Sequence, residues 1–364
     1  MGDDLSTLSV ISNVQTQVVD DFAPADHGLR PLEAPLLASQ CGGTIPPCHL
    51  PPWTTVLREG LGHRSYVLLA RDDSRLVGYL PLALVSSRLF GRFLVGLPYL
   101  NSGGVVAEND QAAVSLIDRA VQLADELDVR YLELRHERRY EHPALAHEVA
   151  SKVHMRLRLP ETANKLWNQL KAKVRNQVRK GREFNLAVRW GGEDLLPDFY
   201  DVFSRNMRDL GTPVYGRSLF RAIIGRLPEQ AEFCVVRDGT RPVAAALLVH
   251  GQGVTEVPSA SSLRQFSSTN ANMLMYWHLF ERAIERGQQT FDFGRSTIDS
   301  NTFRFKKQWG AEPHPAVWQY YVRRGTVGDM RPESSRYRHF IRIWQRLPVA
   351  LTRLVGPTIV RGIP

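Results

Sequence analysis

Cysteine is scarce, with three in 364 residues. Cys41, Cys48 and Cys234 offer neither an even disulfide framework nor a metal-ligand spacing. Cys41, Cys48 and His49 would make one corner of a zinc site, but no second ligand pair accompanies them, so no metal is expected. Reduced thiols suit a cytosolic chain. Long apolar runs are missing too, and none approaches the roughly 20 residues that a membrane-spanning helix needs. The opening residues, with Asp3 and Asp4, lack a basic stretch followed by an apolar core, so no secretory leader is read there. A cytoplasmic location is expected. Acid is absent from Thr162–Arg182, which holds seven Lys or Arg. Arg331–Pro364 has seven Arg against one Glu. These segments carry +7 and +6 of a net +9, so the rest of the chain sits at −4. The basicity is local and points to two anionic contacts.

What is present reads as two domains. The length suits a pair, and 43% hydrophobic with 23% charged residues is the balance of a globular chain with real cores. Residues 1–45 are expected to give an edge strand or an irregular lead-in. In 46–160, a short helix from Trp53 to Leu61 precedes strands at Tyr66–Arg71 and Leu76–Ser86, joined at Asp72-Asp73-Ser74. A strand from Phe90 then ends in the loop Leu97–Gly104. A helix at Gln111–Leu127 presents Val114, Ile117, Val121 and Ala124 on one face. Strands at Val129–Arg135 and Val153–Leu159 close the first domain. Residues 161–185 predict one long amphipathic helix, with Lys171, Arg175, Arg179 and Arg182 beside its apolar stripe. Residues 186–328 repeat the pattern, with helices at Leu195–Leu210 and Ser218–Leu227 and a meander over Glu232–Ala260. A helix at Asn270–Arg286, a strand at Thr290–Phe293, a short helix at Asn301–Trp309 and a last strand at Ala316–Val322 follow. The expected fold is a duplicated α/β unit, with mixed, mostly antiparallel sheets and flanking helices. Residues 329–364 form a basic amphipathic tail that Pro348 should kink or split.

The segment from Phe291-Asp-Phe-Gly-Arg-Ser296 through Phe303-Arg-Phe-Lys-Lys-Gln-Trp-Gly310 resembles the FemAB-like proteins of exosortase and PEP-CTERM exopolysaccharide systems. The likeness extends over Leu80-Pro81-Leu82, Leu97–Gly104, the basic stretch Arg175–Lys180 and Trp344–Pro348. It implies two tandem GNAT-like domains and a transferase that makes amides. Fem members attach amino acids from aminoacyl-tRNA to lipid- or nucleotide-linked cell-wall precursors. One departure matters. The loop Ser261–Thr269 has no glycine, whereas a GNAT acetyl-CoA site usually turns glycine N–H groups onto a pyrophosphate there. That shifts weight from acyl-CoA to aminoacyl-tRNA or an acyl carrier protein, with no tightly bound cofactor.

Asp292-Phe-Gly294 is not a kinase signature, because the Gly-rich loop, catalytic His-Arg-Asp and strand Lys are lacking. Gly294 instead permits a sharp strand exit where Arg295 and Ser296 face a cleft, or where Asp292 and Arg295 merely pair to pin the loop. Lys306, flanked by Phe303 and Trp309, is the candidate oxyanion stabiliser, a role to which the resemblance also points. The bland alternative is a lysine packed beside structural aromatics. Asp292 and Asp299 are candidate bases for the incoming amine, or else turn residues. The Lys171, Arg175, Arg179, Arg182 cluster fits the phosphates of a lipid-linked or nucleotide-linked saccharide, or a tRNA backbone, or is simply a solvated face. Asn101, Gly103 and Gly104 are placed to cradle an acceptor, or form a plain turn. The expected function is an N-acyl or aminoacyl transfer onto a saccharide or envelope precursor. The alternatives are a Fem-type ligase acting on peptidoglycan precursor and a non-catalytic adaptor of a membrane-associated complex. The tail either lies peripherally on the inner membrane or packs on the protein itself.

Overall fold

Two mixed sheets with helices packed against them give the chain an α/β architecture. The computed structural model describes residues 14–20, 46–326 and 335–364. Cys41 lies outside the described residues, whereas Cys48 and Cys234 are buried free thiols.

In the first half, β1 (Val14–Asp20) is an edge strand, followed by α1 (Trp53–Leu61), β2 (Arg64–Asp72) and β3 (Arg75–Ser87). The two-residue turn Asp73-Ser74 joins β2 to β3, and Asp73 adopts the left-handed φ of 53° that such a tight hairpin needs. β4 (Gly91–Val95), β5 (Val106–Ala107), α2 (Asp110–Glu126) and β6 (Tyr131–His136) come next. β4 and β6 pair in parallel, which requires a crossover, and α2 supplies it. Asn109 starts α2 by accepting the Ala112 N–H at 2.9 Å. The buried face of α2 runs through Ala113, Leu116, Ile117, Ala120 and Ala124, so Val114 sits at its exposed margin rather than in the stripe. β7 (His147–Val149) and β8 (Lys152–Arg158) end this half.

The basic segment is two helices. α3 (Ala163–Gln169) and α4 (Ala172–Glu183) are separated by Leu170 and Lys171 in extended conformation, ψ 142° and 145°. The break leaves carbonyls at the end of α3 without intrahelical partners. Arg175 donates to two of them, Leu170 O at 3.1 Å and Asn168 O at 3.4 Å.

The second half contains β9 (Ala187–Gly191), α5 (Leu196–Leu210), α6 (Arg217–Arg226), β10 (Ala231–Asp238), β11 (Arg241–His250) and β12 (Val254–Ser262). α7 (Ala271–Glu285), β13 (Thr290–Thr297), α8 (Asn301–Gln308), β14 (Glu312–Pro315) and β15 (Val317–Val322) follow. The tail divides at Leu347-Pro348 into α9 (Ser335–Arg346) and α10 (Val349–Val360).

Strand order is β1-β2-β3-β4-β6-β15-β7 in the first sheet, with β5 on β3, and β14-β8-β13-β12-β11-β10-β9 in the second. Each half therefore lends a strand to the other. β8, read from sequence as closing the first domain, lies between β14 and β13 of the second sheet. β15, read as the last strand of the second domain, pairs with β6 and β7 of the first. Local periodicity fixes that a segment is a strand, not which sheet it joins. The second sheet is covered on one face by α5 and α6, where Phe199 stacks on Phe233 at 4.5 Å. Its other face is covered by α7, with Phe280, Phe291 and Trp309 buried there.

Candidate active site between the sheets

The site begins where two strands part. β12 and β13 run in parallel for three pairs, Val254–Thr290, Thr255–Phe291 and Glu256–Asp292, and then stop pairing. Both strands bulge just beyond that point. On β12, Val257 and Pro258 lie opposite the single residue Leu248. On β13, Phe293 and Gly294 lie opposite Met155 of β8. A bulge bends its strand, and Pro258 brings no N–H to the ladder, so the two strands splay. Gly294 has φ 74°, a conformation that glycine takes without strain.

The loop 97–104 of the first half enters this gap. Tyr99 Oη lies 3.1 Å from Ser259 Oγ, and Asn101 Nδ2 donates to Glu256 Oε1 at 3.0 Å. A Cβ at position 294 would stand 2.7 Å from Asn101 Nδ2, so only glycine allows the approach.

A charged network lies behind the loop. Asp292 accepts the Gly294 N–H at 2.7 Å and the Arg156 Nε–H at 2.8 Å. Arg156 also donates to both oxygens of Glu137, at 2.8 and 2.6 Å. Ser102 Oγ donates to Glu137 at 3.0 Å and lies 3.3 Å from His154 Nε2. Lys306, only 8% exposed, donates to Gly294 O and Arg295 O, both at 3.0 Å.

Titration follows from these neighbours. Burial, reinforced by the charge of Asp292, pushes the Glu256 carboxyl up to about 7. Burial would raise Glu137 as well, but the Arg156 guanidinium outweighs it and holds Glu137 at about 2. Burial lowers Lys306 to about 8 against the pull of Asp292 and Glu256. Burial, then the nearby Arg135, lowers Arg295 to about 9. Burial keeps His154 below its ordinary value, and so neutral near pH 7.

The structure redistributes the residues singled out from sequence. Asp292 and Lys306 meet at the splay, together with Asn101. Asp292 does not pair with Arg295, because its carboxylate is taken by Arg156 on the neighbouring strand. Arg295 instead lies over Trp318 at 3.1 Å, while Arg135 lies over the same ring at 4.2 Å. Ser296 is buried and its hydroxyl has no partner among the described residues. Asp299 is exposed at φ 61° in the turn before α8, apart from the buried cluster. Phe303 and Trp309 are buried in the hydrophobic core around α7, and Trp309 also lines the cavity described below. Gly103 and Gly104 press against β6, where Gly103 N donates to Arg135 O at 3.2 Å.

A cavity of about 1370 Å³ opens beside the network. Ser102, Gly103, Gly104, Glu137 and Arg156 line it, and Arg135, Arg138, Arg158, Lys171 and Lys307 there outnumber the acids Glu108 and Glu312. Lys171 thus reaches the cavity. Arg175 serves the helix break, and Arg179 and Arg182 lie over Trp167 at 5.6 and 5.4 Å. The basic cluster is therefore divided among three tasks.

Sequence reasoning missed Glu256, Glu137, Arg156 and His154. Glu256 left one signal, an acid two residues before a proline inside an otherwise uncharged strand. The other three are joined only by the exchange of strands.

A family model described as an acetyltransferase (GNAT) domain matches residues 168–307. These residues run from the end of α3 into α8 and include Glu256, Asp292 and Lys306. Over those residues the chain is similar to GNAT acetyltransferase domains. A comparison with curated proteins finds no match. Among solved structures, "Crystal structure of FemX" is similar at 15% identity and TM-score 0.63, over 81% of this chain and 96% of that one. A tandem GNAT protein from the clavulanic acid biosynthesis pathway is similar at 14% and 0.52, over 85% and 98%. L-PGS from Bacillus licheniformis is similar at 11% and 0.52, over 92% and 97%. The fold is that of tandem GNAT proteins.

Proposed function

We propose that the chain transfers an acyl or aminoacyl group from an ester or thioester donor to an amine at the gap between β12 and β13. The amide C–N bond forms, the donor's C–O or C–S bond breaks, Glu256 takes the amine's proton, and the donor leaves as its alcohol or thiol. The observation that carries this reading is Glu256 itself, a buried carboxyl held near pH 7 at the point where the strands part. A base titrating near the working pH suits removal of a proton from the acceptor's ammonium before attack, or from the amine nitrogen as it adds. Lys306 supplies a buried positive charge facing the two carboxyls. With two of its protons on carbonyls, it keeps one N–H for a developing oxyanion. Asp292 and Arg156 position the bulge, and Asn101 holds Glu256 until substrate arrives.

The cavity, ringed by Arg138, Arg158, Lys171 and Lys307, fits an acceptor with phosphate groups. A lipid-linked or nucleotide-linked saccharide of exopolysaccharide or envelope assembly agrees with that charge and with the resemblance of residues 291–310. For the donor, the left-handed position ahead of α7 is filled by Asn270, φ 54°, after a 3₁₀ turn at Arg264–Thr269. A glycine loop is therefore not what shapes this end of the sheet, which favours aminoacyl-tRNA or a carrier-protein thioester over acyl-CoA.

The test offers aminoacyl-tRNA, acyl carrier protein thioester and acyl-CoA separately to the pure chain. Melting temperature is followed first, since a ligand of the folded state alone must raise it. Amide formation on an amino sugar nucleotide is then measured by mass spectrometry. Transfer that survives Glu256→Gln undiminished removes Glu256 as the base. Absence of transfer with all three donors rejects the reading as a whole.

A further inference from the structure

We infer that the consecutive helices α9 and α10 form a docking surface for an anionic lipid bilayer, lying in the plane of the membrane. Its inner side is firmly seated. Gln345 Nε2 donates to Asp209 O at 3.1 Å, and Arg208 reaches Leu347 O at 3.2 Å. Arg353 donates to Ser204 Oγ at 2.8 Å and Asp201 Oδ1 at 2.5 Å. Thr352, Gly356 and Val360 are buried one turn apart, with Gly356 against the Val214 backbone. This side belongs to the body of the protein.

The outer side is apolar and exposed. Leu354 is 76% exposed and Phe340 67%, with Ile343, Leu351 and Val355 beside them. On α10, Leu351, Leu354, Val355 and Thr358 fall on the face opposite Thr352, Gly356 and Val360, following the 100° step of a helix. A second element joins them. Gly362 packs against Ser87, which brings the β3–β4 hairpin alongside the end of α10. The tip of that hairpin is Arg88-Leu89, with Leu89 80% exposed and Arg92 exposed just beyond. Two segments far apart in sequence thus each expose leucine, at Leu89 and at Leu351 and Leu354.

Charge decides the occupant. Residues 335–364 contain six Arg and no Asp or Glu. Arg353 turns inward, whereas Arg342, Arg346 and Arg361 are exposed next to the apolar strip. A second copy of the same face would bring arginine against arginine. An anionic headgroup layer takes the arginines, while the strip enters the boundary of the acyl chains. Each helix has 12 residues, about 18 Å of rise, and so lies on a bilayer of about 30 Å rather than crossing it.

The experiment sediments the full chain with vesicles of phosphatidylcholine alone and of phosphatidylcholine with phosphatidylglycerol. Binding is expected to the anionic vesicles and to weaken as salt is raised. Phe340→Ser with Leu354→Ser should lower partitioning by roughly tenfold or more, as expected from two apolar side chains leaving the interface. Arg342→Gln with Arg346→Gln should abolish the preference for phosphatidylglycerol. Val114→Ser, at the margin of α2, should change nothing. All five residues are exposed, so melting temperature is expected to hold and confirms that each variant is folded. Equal sedimentation with neutral and anionic vesicles overturns the inference, as does full binding by the Phe340/Leu354 variant. A dimer in solution that this variant dissociates also overturns it, by assigning the strip to a second copy.

Discussion

Glu256 and Asp292 face each other as the last register partners of parallel strands β12 and β13, and the pairing ends at the two carboxyls. Two acids at one point of a closed sheet would repel at great cost. Here the cost is met in two ways: Asp292 is bound by Arg156 and the Gly294 N–H, while Glu256 holds its proton to about pH 7. Lys306 adds a buried ammonium on the β13 side.

This arrangement predicts a narrow bell in the dependence of kcat/KM on pH. The acid limb should lie near 7, where Glu256 ionises, and the alkaline limb near 8, where Lys306 loses its proton. The two groups interact, so the apparent values belong to the pair. Glu256→Gln should remove the acid limb and cost on the order of a hundredfold to ten-thousandfold in rate. Lys306→Met should remove the alkaline limb, with kcat falling more than KM rises. A profile flat from pH 6 to 9 would reject both roles.

Stability should carry the mark of the same carboxyl. The folded chain keeps the Glu256 proton up to about pH 7, whereas an unfolded chain releases a glutamate proton near pH 4.3. Between those values the folded state binds more protons, so this group's contribution to stability falls as pH rises and stays low above pH 7. In the Glu256→Gln variant the new side-chain amide keeps an oxygen for Asn101 and never ionises. That variant should therefore melt higher than the parent at pH 8, by a margin on the order of 1–3 kcal/mol that disappears near pH 4. Thermal melts across that range check the sign. A lower melting temperature for the variant at pH 8 would show that the ionised carboxylate is stabilising.

Much of the element order was legible in the sequence, because period and turn chemistry are local. Trp53–Leu61, the Asp73-Ser74 turn and the split at Pro348 all follow from residues within a few positions of one another. The exchange of β8 and β15 was not legible, since edge choice depends on what the whole chain has already buried. The site inherits that difficulty. Arg156 stands on β8, Glu137 just after β6 and Asp292 on β13, so no window of sequence contains their network. Lys306 and Asn101 could be singled out because each sits in a segment with a recognisable local pattern. Asp299 shows the converse, since a turn acid looks the same in sequence whether it faces a cleft or, as here, lies exposed.

Charge around the cavity should separate from charge that serves the fold. Lys171→Gln with Lys307→Gln should weaken binding of a nucleotide sugar such as a uridine diphosphate amino sugar, and flatten its salt dependence, without lowering the melting temperature. Arg175→Gln should do the reverse. It removes the donor that holds Leu170 O and Asn168 O, a loss on the order of 1–3 kcal/mol for hydrogen bonds to a charged group, and should leave affinity nearly unchanged. Calorimetry at two salt concentrations alongside thermal melts distinguishes the two. Equal effects of the two variants on binding would return Arg175 to the phosphate site.

Gly294 and Asn101 should be energetically coupled, because one side chain occupies the space that the other residue leaves open. Gly294→Ala meets two penalties. At φ 74° an alanine is strained, which costs on the order of 1 kcal/mol or more. Its Cβ would also stand 2.7 Å from Asn101 Nδ2, closer than carbon and nitrogen tolerate, so the amide must swing away from Glu256. In an Asn101→Ala background the second penalty vanishes, since no amide remains to be displaced, and only the backbone strain is left. The double-mutant cycle should therefore show a coupling of roughly 0.5–3 kcal/mol, with Gly294→Ala costing less when Asn101 is already alanine. Glu256 reports the same event, because Asn101 donates to its carboxylate and so favours ionisation. Gly294→Ala and Asn101→Ala should each move the acid limb of the rate profile upward, and together no further than either alone. Strictly additive melts, or an acid limb that stays in place in both single variants, would mean that loop 97–104 does not govern Glu256.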